Sequence, residues 1–286
     1  MILIVVSESD PVATRVADRW GTPPATGEHL DGAAIRQLAP DVLLVRRAVR
    51  HIHDEHVDRR LPTAIRERRP TLVFPSIHRS EQNVACLTVH PLGNPGPRAE
   101  FGGRPYTWVP TDARRMAAAL RALSERAGSS GLAPTFEATH HGPELGLPAF
   151  FVEIGYGAAP GPTDASVSAL AEAIPELAPD PRDRVAVGIG GGHYAPHFTE
   201  LVLRRRWAVA HIVARHALTE LTVDSARAAW ASSVGAEGFL FARAQDAEHA
   251  ALRGWATRLR ETEAPARAPS SAERDSLSRD ARPSGT

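Results

Sequence analysis

The chain of 286 residues contains no lysine; all 33 of its basic side chains, set against 33 acidic ones, are arginine. Without a lysine amine there is no Schiff base, so pyridoxal-phosphate and amine-dependent aldolase chemistry are excluded. A phosphate loop of the Walker A kind is excluded for the same reason, and the strand lysine of a protein kinase is missing. The gap accompanies an abundance of Arg, Ala, Gly and Pro, the signature of GC-rich coding. One cysteine, Cys86, rules out an internal disulfide and points to a reducing compartment. A formal net charge of zero provides no global field towards nucleic acid or membrane, so any such contact must be local. No apolar run reaches the length of a membrane span. The opening MILIVVS lacks a cationic flank and reads as a first strand rather than a signal peptide. A cytoplasmic protein without membrane partners is expected.

What is present is a hydrophobic fraction of 43%, enough for a sizeable core. Short, nearly continuous apolar runs recur at 2–6, 42–45, 71–74, 86–89, 150–154 and 184–189. Such runs mark strands buried on both faces. Between them lie helix signals. Asp10-Pro11 opens a helix to Trp20, Thr111 or Asp112 caps ARRMAAALRALSER, Thr163 or Asp164 opens ASVSALAEAI, and a further helix begins at Pro196. Strands alternating with helices predict a single α/β domain with helices flanking a central parallel or mixed sheet over residues 1–260. Residues 261–286 hold Leu277 as their only large apolar side chain and read as a disordered tail.

The chemistry-bearing residue is histidine, present thirteen times. His78, His90, His140, His141 and His193 each follow an apolar run by a few residues. In an open α/β sheet that position lies at the rim where sites form, so they are expected to converge there. His140 and His141 adjoin Gly142-Pro143, where a turn lets both rings serve one site. Glu137 stands three residues before His140, and Glu153 lies inside the apolar strand FFVEIG, a position for a metal ligand, an orienting carboxylate or a general base. Gly190-Gly191-Gly192 follows a strand and precedes a helix, the layout of an anion cradle made of backbone N–H groups. The run is not G-x-G-x-x-G, because His193-Tyr194 fills its end, so a dinucleotide cofactor is not expected. Arg46–Arg69 carries eight arginines against four acids and the histidines of HIHDEH; it reads as a solvated helix face, or else as a phosphate footprint, with Arg204-Arg205-Arg206 as a second such patch.

Taken together and in order, SIHRSEQNVACLTVHPLGN, AEFGG, FEATHHGPE, PAFFVEIG and GIGGGHYAPHFTE resemble the D-aminoacyl-tRNA deacylases of the archaeal and plant type. The likeness runs from residue 1 to about residue 220; the tail has no counterpart. The resemblance implies a single three-layer α/β domain with a central mixed sheet, akin to peptidyl-tRNA hydrolase and purine nucleoside phosphorylase. It implies hydrolysis of the ester between a D-amino acid and tRNA by metal-activated water, with two Zn²⁺ ions per chain. Mapped on this sequence, His90, His140, His141 and His193 are the expected ligands, and His78, Glu137 and Glu153 the expected catalytic groups. Arg79, Arg104, Gly190, Gly191, Gly192 and Tyr194 are expected to bind substrate, in a monomer whose partner is the aminoacylated 3′ end of tRNA. Two other readings are a nucleoside phosphorylase or hydrolase on the same fold, and a non-catalytic tRNA-binding protein.

Overall fold

The apolar runs pair as strands in the computed structural model, which describes residues 1–79, 84–156 and 161–252 apart from the side chain of Arg79. In chain order the strands are β1 (Ile2–Ser7), β2 (Ala25–Leu30), β3 (Ala33–Ala39), β4 (Val42–Arg47), β5 (Thr71–Arg79), β6 (Cys86–Pro91), β7 (Gly93–Asn94), β8 (Thr107–Trp108), β9 (Pro134–Phe136), β10 (Ala149–Tyr156), β11 (Arg184–Ile189), β12 (Trp207–Val213) and β13 (Ala236–Phe241). The helices are α1 (Pro11–Arg19), α2 (Thr63–Arg66), α3 (Ala113–Glu125), α4 (Ala127–Ser130), α5 (Asp164–Ala173), α6 (Pro196–Arg204), α7 (Arg215–Leu218) and α8 (Val223–Ser232). The expected caps form: Asp10 Oδ1 accepts from the amides of Val12 and Ala13 at 2.9 and 2.8 Å, Asp112 from Arg115, and Thr163 from Ser166.

Eight strands make one mixed sheet in the order β2-β3-β4-β1-β5-β10-β6-β9. Strand alternation gives it two cores. Ile2, Ile4 and Val6 face one side, packed with α1, α3, α5 and α6, whereas Leu3 and Val5 face the other. This is the α/β domain with a large mixed sheet that the sequence predicts. Three features differ from expectation. RVAVGI does not join the large sheet; it forms β11, the centre of a separate parallel sheet β12-β11-β13. The hairpin β2–β3 escapes an apolar-run criterion because β2 is almost wholly exposed; its turn is made by Asp31 and Gly32, both at positive φ.

The third difference concerns Arg46–Arg69, which is not a solvated helix. Beyond the end of β4 it consists of two short 3₁₀ turns and α2. Ile52, Val57, Leu61 and Ile65 cover the second core, so the layer on that face is largely irregular chain. Some of the charges turn inward: Arg47 is buried and ion-paired with buried Asp54 at 2.9 Å, and Asp58 is buried too, while Arg50, Arg59, Arg60, Arg66, Arg68 and Arg69 stay exposed. Among the described residues no helix is long and apolar enough to cross a membrane. The tail, residues 261–286, lies outside the described residues.

Candidate metal centre

Strand register brings the first three site residues together. Glu153 on β10 pairs with Ser76 on parallel β5 and with Thr88 on antiparallel β6; two places along, Gly155 pairs with His78, and Phe151 with His90. Glu153, His78 and His90 therefore project from the same face as Phe74 and Phe151. β9 extends the sheet next to β6, and the backbone of Glu137 continues it by donating to Val89 O at 3.1 Å. Because β6 and β9 run against β5 and β10, the cluster lies across a sheet face. The expected convergence on one carboxyl rim is corrected to that extent.

Loops supply the rest. After Glu137 the chain leaves the sheet, and His141 sits at a φ of +46°, which turns its ring back towards His90. His193 follows the glycine turn after β11, and Tyr194 bridges to Glu137. The ring centroids of His140 lie 4.2 Å from His90, 4.4 Å from His141 and 4.7 Å from His193. Phe151 is the floor: its ring stacks on His90 at 5.1 Å and meets His141 edge-on at 5.0 Å. The structure thus unites His78, His90, Glu137, His140, His141, Glu153 and His193.

The distances within this cluster are informative. His90 Nε2 and His78 Nδ1 stand 3.4 and 3.5 Å from Glu153 Oε2, and His140 Nε2 and His193 Nε2 both stand 3.7 Å from Glu137 Oε2. Charge-assisted hydrogen bonds are about 2.7–2.9 Å. Two ligands on a tetrahedral ion at roughly 2.1 Å sit about 3.4 Å apart. His90 Nε2, His140 Nε2, both Glu137 oxygens and Glu153 Oε2 are buried without a hydrogen bond, a costly state unless a further group satisfies them. Three histidines are also fixed from behind. Nδ1 of His90, His140 and His141 faces the carbonyl oxygens of Pro91, Ala138 and Gly142 at 3.1, 2.8 and 2.7 Å. A carbonyl only accepts, so Nδ1 carries the proton and Nε2 presents a lone pair inward, as metal-ligating histidines do. Three overlapping groups could hold an ion: His78, Glu137, His140 and His193; His90, His140 and His141; and His90, Glu137 and Glu153.

Electrostatics divide the histidines. Burial pushes His141 down to about 3 and His193 to about 4, and holds His140 well below its ordinary value, each helped by neighbouring imidazoles. Burial also lowers His78, but Glu153 and Glu137 outweigh it and raise the ring to about 9; His90 is raised by the same two carboxylates. Burial, with Glu153 nearby, lifts Glu137 to about 6 against the pull of His90. Glu153 stays well below the usual carboxylate range because His78 and His90 outweigh its burial. Cys86 is buried and pushed up to about 12, first by that burial, as a core thiol is.

The remaining expected residues are more scattered. Arg79 ends β5 opposite Tyr156, and its side chain is outside the described residues. Arg104 is exposed and ion-paired with Glu144. Gly190 spends its N–H on Val213 O, and Asp246 lies against its α-carbon, where a Cβ would come within 2.2 Å of the carboxylate. Arg204 to Arg206 mark the start of β12, the opposite end of the small sheet from His193, and pair in part with Glu200 and Asp180. Sequence reasoning missed Glu55. Its carboxylate accepts from the amides of Gly103 and Glu144, both at 2.6 Å, and ties the loop after β7 to the His140–Glu144 turn. It also missed Phe101, Phe151 and His211, whose residue types carry no signal by themselves. A cleft of about 170 Å³ opens against His140 and His141.

Comparison with known proteins places relatives beside this chain. A family described as D-aminoacyl-tRNA deacylase matches residues 66–259. A D-aminoacyl-tRNA deacylase of Thermoplasma acidophilum is 33% identical over 85% of this chain and 90% of its own. One from Archaeoglobus fulgidus is 32% identical over 78% of this chain and 81% of its own. A crystal structure of a conserved protein of unknown function aligns with a TM-score of 0.71 at 29% identity, covering 84% of this chain and 86% of that one.

Proposed function

We propose that this chain, which belongs to the D-aminoacyl-tRNA deacylase family, hydrolyses the ester between a D-amino acid and the 3′ end of tRNA, releasing both. The observation that carries the reading is the cluster of five histidines and two glutamates, in which His90 Nε2, His140 Nε2, both Glu137 oxygens and Glu153 Oε2 are buried without a hydrogen bond. Two Zn²⁺ ions suit that donor set, with His90, His140, His141 and His193 as the histidine ligands. When bound, zinc supplies a water acidified to near neutrality and Lewis-acid polarisation of a carbonyl.

The chain's own groups do the rest. Glu137, central and with both oxygens unengaged, takes the proton of the attacking water. His78 is the more accessible of the two histidines against Glu153, with 15% of its side chain exposed. Braced by that carboxylate, it holds a proton on its ring and delivers it to the leaving ribose oxygen. Glu153 keeps both His78 and His90 in place. Gly191 and Gly192 offer backbone N–H groups to the oxyanion, beside Tyr194, while Arg79 and Arg104 contact tRNA phosphates. One chain supplies all these residues, in keeping with a cytoplasmic monomer whose domain ends near residue 260 before the tail.

The test compares release of tyrosine from D-tyrosyl- and L-tyrosyl-tRNA with metal analysis of the purified protein. D-tyrosine should be released and the L-isomer retained, with activity lost on chelation and restored by Zn²⁺. Equal turnover of the isomers would overturn the reading; full activity in metal-free protein would overturn the zinc assignment.

A further inference from the structure

We infer that Phe101 is the stacking platform for the base of the terminal adenosine of tRNA, in the cleft beside His140 and His141. The inference rests on the deacylase reading for the identity of its ligand. Among the large hydrophobic side chains of the described residues Phe101 is the most exposed, at 62%. A phenyl ring in water on a loop is unexplained by packing, and it stands at the wall of the cleft that opens on the two histidines.

The loop that carries it is held firmly. Phe101 O accepts from Gly142 N at 3.1 Å, one residue beyond His141. Asn94 Nδ2 donates to Gly102 O at 2.9 Å, and Glu55 accepts from Gly103 N. Gly102, Gly103 and Gly142 meet backbone to backbone, so closely that a Cβ on Gly142 would lie 2.3 Å from Gly103 N. The loop of Phe101 is thus tied backbone to backbone to the turn of the candidate ligands His140 and His141, and a base stacked on the ring is positioned relative to the metal centre.

Chemistry identifies the base. The ester is carried on the ribose of the last nucleotide, so with the ester over the histidines the base attached to that ribose must fall beside them. An exposed aromatic face takes a nucleobase in the absence of sequence-reading contacts. Glu100 and Glu220 also line the cleft. Two carboxylates disfavour a phosphate there and suit the amino edge of adenine. Arg98 also lines the cleft and offers a cation to the phosphate that precedes the terminal nucleotide.

Binding of uncharged tRNA with an intact 3′ end, and of the same tRNA lacking its terminal adenosine, tests this in the wild type, Phe101→Ala and Phe101→Trp. The wild type should prefer the intact end roughly 5- to 100-fold, the range of one base–aromatic stack. Phe101→Ala should lose the preference and Phe101→Trp keep it. With D-tyrosyl-tRNA, Phe101→Ala should raise KM by a similar factor with kcat little changed. Equal binding of both tRNAs by the wild type, or a preference that survives in Phe101→Ala, overturns the inference. A wild type that shows the Phe101-dependent preference without releasing D-tyrosine would overturn the deacylase reading and leave the platform standing.

Discussion

The histidines of the cluster differ in what surrounds each ring. His140 and His141, with Nδ1 on a carbonyl and burial opposing charge, present Nε2 as a lone pair; His78, whose Nδ1 faces Glu153, is drawn towards the cation by two carboxylates, and His90 shares both features. That contrast separates holding a metal from carrying a proton. His140→Ala should therefore lose bound zinc and activity together, as elemental analysis and D-tyrosyl-tRNA turnover would register. His78→Gln should keep most of its zinc while kcat falls by about 10²–10⁴-fold, the usual worth of a general acid; loss of the metal instead would assign His78 to the ligands. Phe151 is an apolar residue with the same importance. Phe151→Ala removes the ring on which His90 and His141 rest, and should cost about 3–5 kcal/mol in chemical denaturation. The histidines and glutamates were legible in the sequence because polar residues beside buried strands have few packing reasons to be there. Phe151 was not, since a phenylalanine in a strand is expected whatever the function.

Elements matter here through how they meet. The loop after β7 and the His140–Glu144 turn touch at glycines that no side chain can replace. Gly142→Ala would drive a methyl into Gly102 and Gly103, with backbone atoms at 2.3 and 2.4 Å, so a loss of about 1–3 kcal/mol in thermal unfolding and a matching loss of activity are expected. Glu55 joins the same two segments with two charged hydrogen bonds. Glu55→Gln retains one acceptor oxygen, and hydrogen exchange at Gly103 or Glu144 should quicken as roughly 1–2 kcal/mol of local stability is lost. Unchanged exchange at both amides would show that Glu55 does not hold the turn. None of this is visible along the chain, because HIHDEH reads as charge and metal until folding shows Glu55 holding a distant loop while Asp54 pairs with arginines.

The two larger sheets of the molecule meet near a buried histidine. His211 on β12 has Nε2 3.0 Å from Val109 O and Nδ1 3.0 Å from Thr139 Oγ1, next to the His140 turn. Burial depresses its pKa to about 3, against a slight raising by the Val109 carbonyl. In the unfolded chain it titrates near 6.5. Above that pH both states are neutral; as pH falls from 6.5 towards 3 only the unfolded state gains the proton, so stability drops by about 1.4 kcal/mol per unit. His51, His140 and His141 add to the same slope, so the check is a difference: His211→Gln should be less sensitive than wild type in denaturant melts between pH 7 and pH 5, and equal sensitivity would refute the assignment.

The amino-acid order alone determined the α/β class, the central strands and the caps of the main helices, since continuous apolar runs and cap residues act within a few positions. It also singled out seven residues that the fold brings together, and the family to which their motifs belong. Only the tertiary structure decided that β11 forms a separate sheet, that the arginine-rich segment is irregular chain burying Arg47, Asp54 and Asp58, and that the candidate site lies across a sheet face rather than along a rim. Strand direction and register are settled by pairings between residues far apart in the chain, such as Glu153 with Ser76 and Thr88. The same long-range pairing gives Phe101 its place: an ordinary aromatic residue in sequence becomes a platform because a glycine contact brings its loop against His140 and His141.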